Sequence, residues 1–575
     1  MSQAIRKRSE RQETQRATQP EEFTVGIDLG NSNSGWHGAT RRASKIPTKI
    51  AYNSDQTVAR WGPQVAHEEH YLHLSKLLLD ISNGFPQGMS RTECEAPFKA
   101  LKMEPFQVTA DYLRQLIGVI PGFLTKQCGH IIAANAVIVY ILTIPAIWSD
   151  AAKDATRSAA IAAGMDSVQL VTEPEAAAGF TLMSKRSLKL QVGDVFVICD
   201  AGGGTIDSIG RNGKIEFLEV VPGEGAVGGG EFVDGAFKKL LRSLLGAKGF
   251  AAFTQNKVVL KEVMDYFQKS VKELFNPLSD EASVKDFSIP FNHLFLDDEA
   301  AHMKGGRMAL SCEDLRKIFD PSIDKALVVV GEQYDRATSS GQRPRGIILV
   351  RGFGQSPYLR ARMTKEFAAF EDPKDNLEII APENGQTAIV QGAVLQAMSG
   401  GGTVVARKAR LSYGIPDQPI YDPREHGRNV TVVRDVVEGV DRVKDHIFWL
   451  RKKGQDFVLG KPAKQRFRRT YGPDEFCLER AGINDLTEKL FVCDSEDPPN
   501  CTTDPRVKLL GTLKVKEGCK RVPRRAFNRV SEDVALAAQY FELPYNLRIA
   551  PVLGAMTFDF EVDGVVYGET KLKFA

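Results

Sequence analysis

VGIDLGNSNSGW from Val25 and VFVICDAGGGTIDSIG from Val195 share one construction. Each is an apolar, β-branched run that reaches an aspartate, turns through Gly, Asn, Ser or Thr, and resumes as strand-like residues. Gly and Asn tolerate the positive φ that wraps backbone N–H groups around an anion, so each copy reads as a phosphate loop. Two copies imply two similar lobes closing on one nucleotide. Asp28 and Asp200, which end the two runs, would hold a hydrated Mg²⁺ between them.

The rest of the chain fits a soluble intracellular protein. Its 575 residues are 43% hydrophobic and 26% charged, enough for roughly three to four compact units of about 150 residues. A formal charge of +3 supplies no global attraction to nucleic acid or anionic membrane. The eight cysteines form no CxxC pair, so reduced thiols are expected. Residues 1–22 mix Arg with Glu and lack an apolar core, which argues against a secretory or transit signal and for a disordered tail. The cluster Arg6, Lys7, Arg8 makes nuclear residence the alternative to a cytoplasmic one. The uncharged stretch Ile131–Trp148 contains Asn135 and Pro145 and reads as a buried strand, not a membrane span.

Along the chain, strands are expected at Phe23–Leu29, Lys49–Tyr52, Ala136–Ile144 and Gly346–Val350. Helices are expected at Ala110–Leu124, Asp150–Ala163 with Gly164 as its C-cap, around Lys261–Leu274, and at Ala388–Met398. Alternation of strands and helices indicates an α/β architecture. SGGG from Ser399 reads as a linker. Beyond it, short alternating runs and an Asp-Gly turn in MTFDFEVDGVVYGETKLKF indicate a mostly β domain without a catalytic constellation.

These motifs together resemble the 70-kilodalton heat-shock (Hsp70) chaperones of the actin and sugar-kinase ATPase superfamily, and look most similar to the divergent twelve-type branch. The resemblance runs in order from about Thr24 to Met398. GIDLGNSNSG and ICDAGGGTIDS resemble the two phosphate loops, and LTIPAIWSDAAKDATRSAAIAAGMDSVQLVTEPEAAAGF the connecting segment. ILVRGFGQSP resembles the adenosine turn, and PENGQTAIVQGAVLQAM the closing helix. It implies a duplicated actin-like (ribonuclease H-like) two-lobe ATPase domain followed by a mostly β domain. The divisions would be lobe I at 23–192, lobe II at 193–383, closing helix and linker at 384–403, and the β-rich domain at 404–575.

Carried over residue by residue, the resemblance makes Asp28, Asp200 and Asp207 the acids around Mg²⁺, Glu173 the carboxylate near the attacking water, and Thr205 the hydroxyl beside the γ-phosphate. Gly30, Asn31, Ser32, Gly202, Gly203, Gly204 and Gly229 would line the phosphates, and Gly352 and Gly354 the adenosine. Lys76 resembles the catalytic lysine, with a helical surface lysine as its alternative. Lys272 resembles a base-contacting lysine, with an exposed role as the alternative. Phosphoryl transfer needs this inventory, because several negative oxygens must be neutralised and one water placed in line.

The departures carry equal weight. Asn31 and Ser32 stand where the family usually has two threonines. Arg351 replaces a glycine and is expected to bring a charge beside the base. Lys153 replaces an arginine that works with the strand proline, here Pro145, and loses its planar fork. SGGGTVVARKARLSYG replaces the family's acidic, leucine-rich linker, and neither a long lid helix nor an acidic tail follows. His67, His70 and His73 lack zincin spacing. KQRFRRTYG from Lys464 reads as a solvated strand or an anionic partner surface, with nucleic acid as the weaker alternative.

The expected protein therefore binds ATP or ADP with Mg²⁺, hydrolyses ATP slowly, and acts through its C-terminal domain on a protein partner or client. A non-hydrolysing, nucleotide-gated scaffold is the first alternative. A small-molecule kinase is the second.

Overall fold

The computed structural model describes residues 22–30, 33–36, 46–65, 70–80, 90–184, 191, 193–200, 205–212, 216–225, 229–279, 287–291, 301–367, 377–398, 404–427, 430–435, 438–458, 461–471, 487–514, 526–529, 541–552, 555–569 and 573–574. The tail proper and the SGGG linker lie outside them. Packing divides the chain into two units, one of residues 1–217 and 223–403, the other of 218–222 and 404–575.

The first unit contains the duplication. Its first sheet has strands β1 (Glu22–Asp28), β2 (Asn33–Trp36), β3 (Ile46–Pro47), β4 (Val137–Ile144) and β5 (Val168–Thr172), in the order β3-β2-β1-β4-β5. β1 and β2 are antiparallel, while β1, β4 and β5 are parallel. In the second sheet, β6 (Val195–Asp200) and β7 (Thr205–Asn212) are antiparallel, and β6, β8 (Pro344–Val350) and β9 (Glu378–Ile380) are parallel. β1 thus corresponds to β6, β4 to β8 and β5 to β9. Every residue of β6 is buried, which is why VFVICD is a continuous apolar run, as in a parallel strand covered on both faces.

Local chemistry sets the helix ends. Ser149 accepts from the Ala152 N–H at 3.2 Å and starts Asp150–Ala163, and Gly164 ends it at φ 105°. The expected helix 110–124 is instead two, Pro105–Gly118 and Ile120–Cys128. Pro121 has no N–H to continue the first helix and starts the second.

Helix Ala388–Met398 packs on β1 and on helix Glu173–Ser184. An added Cβ at Gly392 would stand 1.7 Å from the Ala176 carbonyl oxygen, and one at Gly26 would stand 2.7 Å from the Val394 side chain. Ala176, Ala177 and Ala178 are fully buried. The helix backbones thus approach closely where Gly392 meets Ala176, neither carrying a bulky side chain.

Among its described residues the second unit is mostly strands. One sheet includes Ser412–Asp417, His446–Arg451, Thr487–Cys493 and Val507–Lys514, and another includes Ala463–Tyr471, Phe541–Val552, Ala555–Val562 and Val565–Glu569. Ile415, Leu490 and Leu513 of the first share one core with Leu543, Leu547 and Phe560 of the second. Asp563 and Gly564, at φ 48° and 78°, make the expected hairpin turn, with both central residues left-handed. Leu218–Pro222, which the sequence reading assigns to lobe II, packs with this unit. Buried Glu219 accepts from the Lys408 N–H at 2.6 Å and pairs with Arg410 at 2.5 Å. No helix among the described residues is long and apolar enough to cross a membrane.

Candidate functional site

Four strands of the first unit end at one place. β1 ends at Asp28 and β6 at Asp200; β5 runs into Glu173, the first residue of its helix, and β8 runs into Arg351. In parallel sheets this C-terminal edge is where ligands bind, because the loops diverge there and leave a crevice. The register places Asp28 opposite Thr143 on β4, and Asp200 opposite Val350 on β8. The Thr143 hydroxyl donates to Asp28 Oδ1 at 2.8 Å.

Arg351 ties this edge together. Its Nε donates to Asp200 Oδ2 at 2.9 Å, Nη1 to Asp28 Oδ2 at 3.1 Å and Nη2 to Asp28 Oδ1 at 3.2 Å, and Nη2 also pairs with Glu173 Oε1 at 3.0 Å. One guanidinium therefore spans carboxylates from both lobes. This corrects the position expected for it, since the side chain turns to the acids and not to a base. The reason is electrostatic. Three carboxylates packed at the strand ends need a compensating cation, and a planar fork reaches all three.

Lys76, on the short helix Ser75–Leu78, is buried and not the surface lysine of the alternative reading. Its ammonium donates to Glu173 Oε1 at 2.9 Å and to the Leu29 carbonyl, and it lies 5.2 Å from the Trp148 ring centroid. Burial pushes the Glu173 carboxyl up, but the Arg351 and Lys76 cations outweigh it and hold the group below its ordinary range. Burial likewise opposes the Arg351 charge, and Asp200, Asp28 and Glu173 overcome it and hold the guanidinium well above its ordinary value.

The other sequence-derived residues lie in several places. Gly30 is buried and its carbonyl accepts from Thr48 Oγ1 at 2.8 Å. Gly352 and Gly354 lie in the turn Arg351–Gly354, where a Cβ on Gly354 would meet the Leu349 backbone at 3.1 Å. That glycine serves strand-to-turn packing. Gly229 precedes helix Gly230–Gln255, and Lys272 reaches the same place. The Lys272 ammonium donates to the Gly230 carbonyl at 2.8 Å and to Asp234 at 2.9 Å, so the exposed role weighed for it does not hold. A π turn at Phe267–Val271 sets the position of Lys272, a local shift invisible to a 3.6-residue pattern. Thr205 and Asp207 lie on β7, Thr205 opposite Asp200. Asn31, Ser32, Gly202, Gly203 and Gly204 lie outside the described residues.

Sequence reasoning missed Thr143 and Asp234. Thr143 was readable only through the β1–β4 register, and Asp234 had no local signal. Lys153 pairs with Asp150 at 3.3 Å. His67 lies outside the described residues, while His73 stacks edge-on against Tyr71 at 5.4 Å. In KQRFRRTYG, Lys464 pairs with Glu561 at 2.5 Å and Arg468 with Glu438 at 3.0 Å, which removes much of the charge a nucleic-acid groove would need.

Comparison with known proteins agrees with this architecture. The family model described as Hsp70 protein matches residues 69–417. Human heat shock 70 kDa protein 12A is 23% identical over 599 aligned residues, covering 85% of this chain and 84% of that protein. Human heat shock 70 kDa protein 12B is 24% identical over 458 residues, covering 66% of this chain and 63% of that protein. The chaperone protein DnaK of Prochlorococcus marinus (strain MIT 9515) is 24% identical over 404 residues, covering 64% and 59%. The chain thus spans somewhat under two thirds of the 12B and DnaK proteins it matches. With more than half of its length matched by one family, the chain belongs to the Hsp70 family of chaperone-type, ATP-binding proteins, in its divergent twelve-type branch.

Proposed function

We propose that the edge between the two lobes takes ATP or ADP, with the phosphates toward Lys76 and Arg351 and the adenosine toward Gly352 and Lys272. The nucleotide state then controls what the second unit binds, a protein partner or client, with Pro145 and helix Ala388–Met398 as the route. The observation that carries this reading is the convergence of Asp28, Lys76, Glu173, Asp200 and Arg351 from five separate segments onto one strand edge. Buried Lys76 and partly exposed Arg351 are the two cations that a polyphosphate would meet there.

Two readings of turnover follow from the same site. Slow hydrolysis to ADP and phosphate would use Glu173 beside the attacking water. A non-hydrolysing gate is favoured by Arg351, which already engages the three carboxylates. A small-molecule kinase gains no support from these residues. Titration calorimetry of the full chain with ATP and ADP, with phosphate release followed on the same sample, tests the proposal. Asp200→Ala should weaken nucleotide binding, and Glu173→Ala should spare binding while abolishing any release. Nucleotide binding and release unchanged in both variants would remove the site assignment.

A further inference from the structure

The family resemblance implies a magnesium ion among the acids, and the arrangement of these residues does not fit one. A hydrated magnesium ion needs carboxylate oxygens left open, either to ligate it or to accept from its waters. Here the acids stand around a guanidinium at 2.9 to 3.2 Å, and Asp28 spends both oxygens on Arg351 and Thr143. Among the described residues, no group of three or more His, Cys, Asp or Glu is spaced to hold a metal. Arg351 is also a backbone anomaly. It sits at φ 66°, the left-handed region that suits the glycine it replaces, at a cost on the order of 1 kcal/mol. A side chain kept there against that cost, and bonded to three carboxylates, is filling a role.

We propose that Arg351 is the resident cation of this cleft, standing where the family would hold its divalent metal, so that nucleoside di- and triphosphates bind without magnesium and are not hydrolysed. This rests on the nucleotide reading above and deepens it. Asp28, Glu173 and Asp200 against Lys76 alone would leave two buried negative charges unpaired, and such charges are strongly destabilising. A covalently attached cation is always present at high effective concentration, whereas an entering ion must displace its four bonds. Asp200 and Glu173 keep 0–1% exposure while Arg351 keeps 15%. Of these three groups the guanidinium is therefore the one that an entering ligand meets, and its fifth N–H, on Nη1, is not spent on the acids.

The test is the affinity of the full chain for ADP and ATP by calorimetry, in magnesium and in excess chelator, with phosphate release measured in parallel. The native chain should bind within about threefold in the two conditions and release no phosphate. Arg351→Gly suits the backbone, and Arg351→Met keeps bulk without charge. Both should lose about tenfold or more of their affinity when magnesium is removed. The inference is overturned if the native chain itself loses tenfold on chelation, if it turns over as fast as Arg351→Gly, or if Arg351→Met still binds equally well without magnesium. Binding by Arg351→Gly alone would make Arg351 a plug, overturning the inference while leaving the nucleotide reading intact. Binding by none of the three proteins would end both.

Discussion

Arg351 and Glu173 show how strongly a few side chains are bound to one another at the strand edge. Each sits among groups of opposite charge, Glu173 buried and Arg351 15% exposed. Removing one partner strands the others, so Arg351→Met should lose about 3–5 kcal/mol at neutral pH, read from urea unfolding. The pH dependence has a definite sign. Glu173 is held below its ordinary range in the folded protein, so its contribution is complete above the unfolded value of about 4.3. It is lost as pH falls through the depressed folded value. In Arg351→Met, where burial is opposed by Lys76 alone, the acid decline should begin at higher pH than in the native chain. Parallel acid profiles would show that Arg351 does not set this carboxyl.

At the scale of elements, helix Ala388–Met398 is placed by the absence of side chains. Gly392 faces Ala176 so closely that a methyl group would overlap its carbonyl, and backbone on both sides leaves little room to give. Gly392→Ala should therefore cost at least the roughly 1–3 kcal/mol typical of overpacking, seen as a lower urea midpoint. Because Glu173 begins the helix against which Gly392 packs, nucleotide affinity should fall with it. A Ser149→Ala change is milder. It removes an N-cap and the 2.9 Å bond to Asp80, worth about 1 kcal/mol, and should leave nucleotide binding intact in calorimetry. A loss of binding there would mean that the cap also positions the site.

At the scale of the molecule, the chain does not divide at one point. Residues 218–222 leave the first unit, pack in the second and return. Glu219 is held there by Lys408 and Arg410, and Glu219→Ala should destabilise the second unit by about 3 kcal/mol, as for a buried pair losing one member. A fragment of residues 404–575 should be less stable than the same unit within the full chain, measured by hydrogen exchange of its strands. Equal protection in both would show that Leu218–Pro222 adds nothing to this unit.

Much of this protein was determined by the sequence alone, because the relevant physics is local. The paired runs ending at Asp28 and Asp200, the Gly164 cap of Asp150–Ala163 and the alternation flanking Asp563–Gly564 each act within a few residues, and each was legible. The identity of Arg351 as a substitution for glycine was legible too, but its destination was not. Only the tertiary structure decided that, because the direction of a long side chain depends on which charges the fold gathers near it. The motifs paired Asp28 with Asp200, but nothing local to Arg351 directs its side chain to them or to Glu173. The register that pairs Thr143 with Asp28, the π turn that aims Lys272 and the passage of Glu219 into the second unit are decided in the same way, by packing between segments distant in the chain.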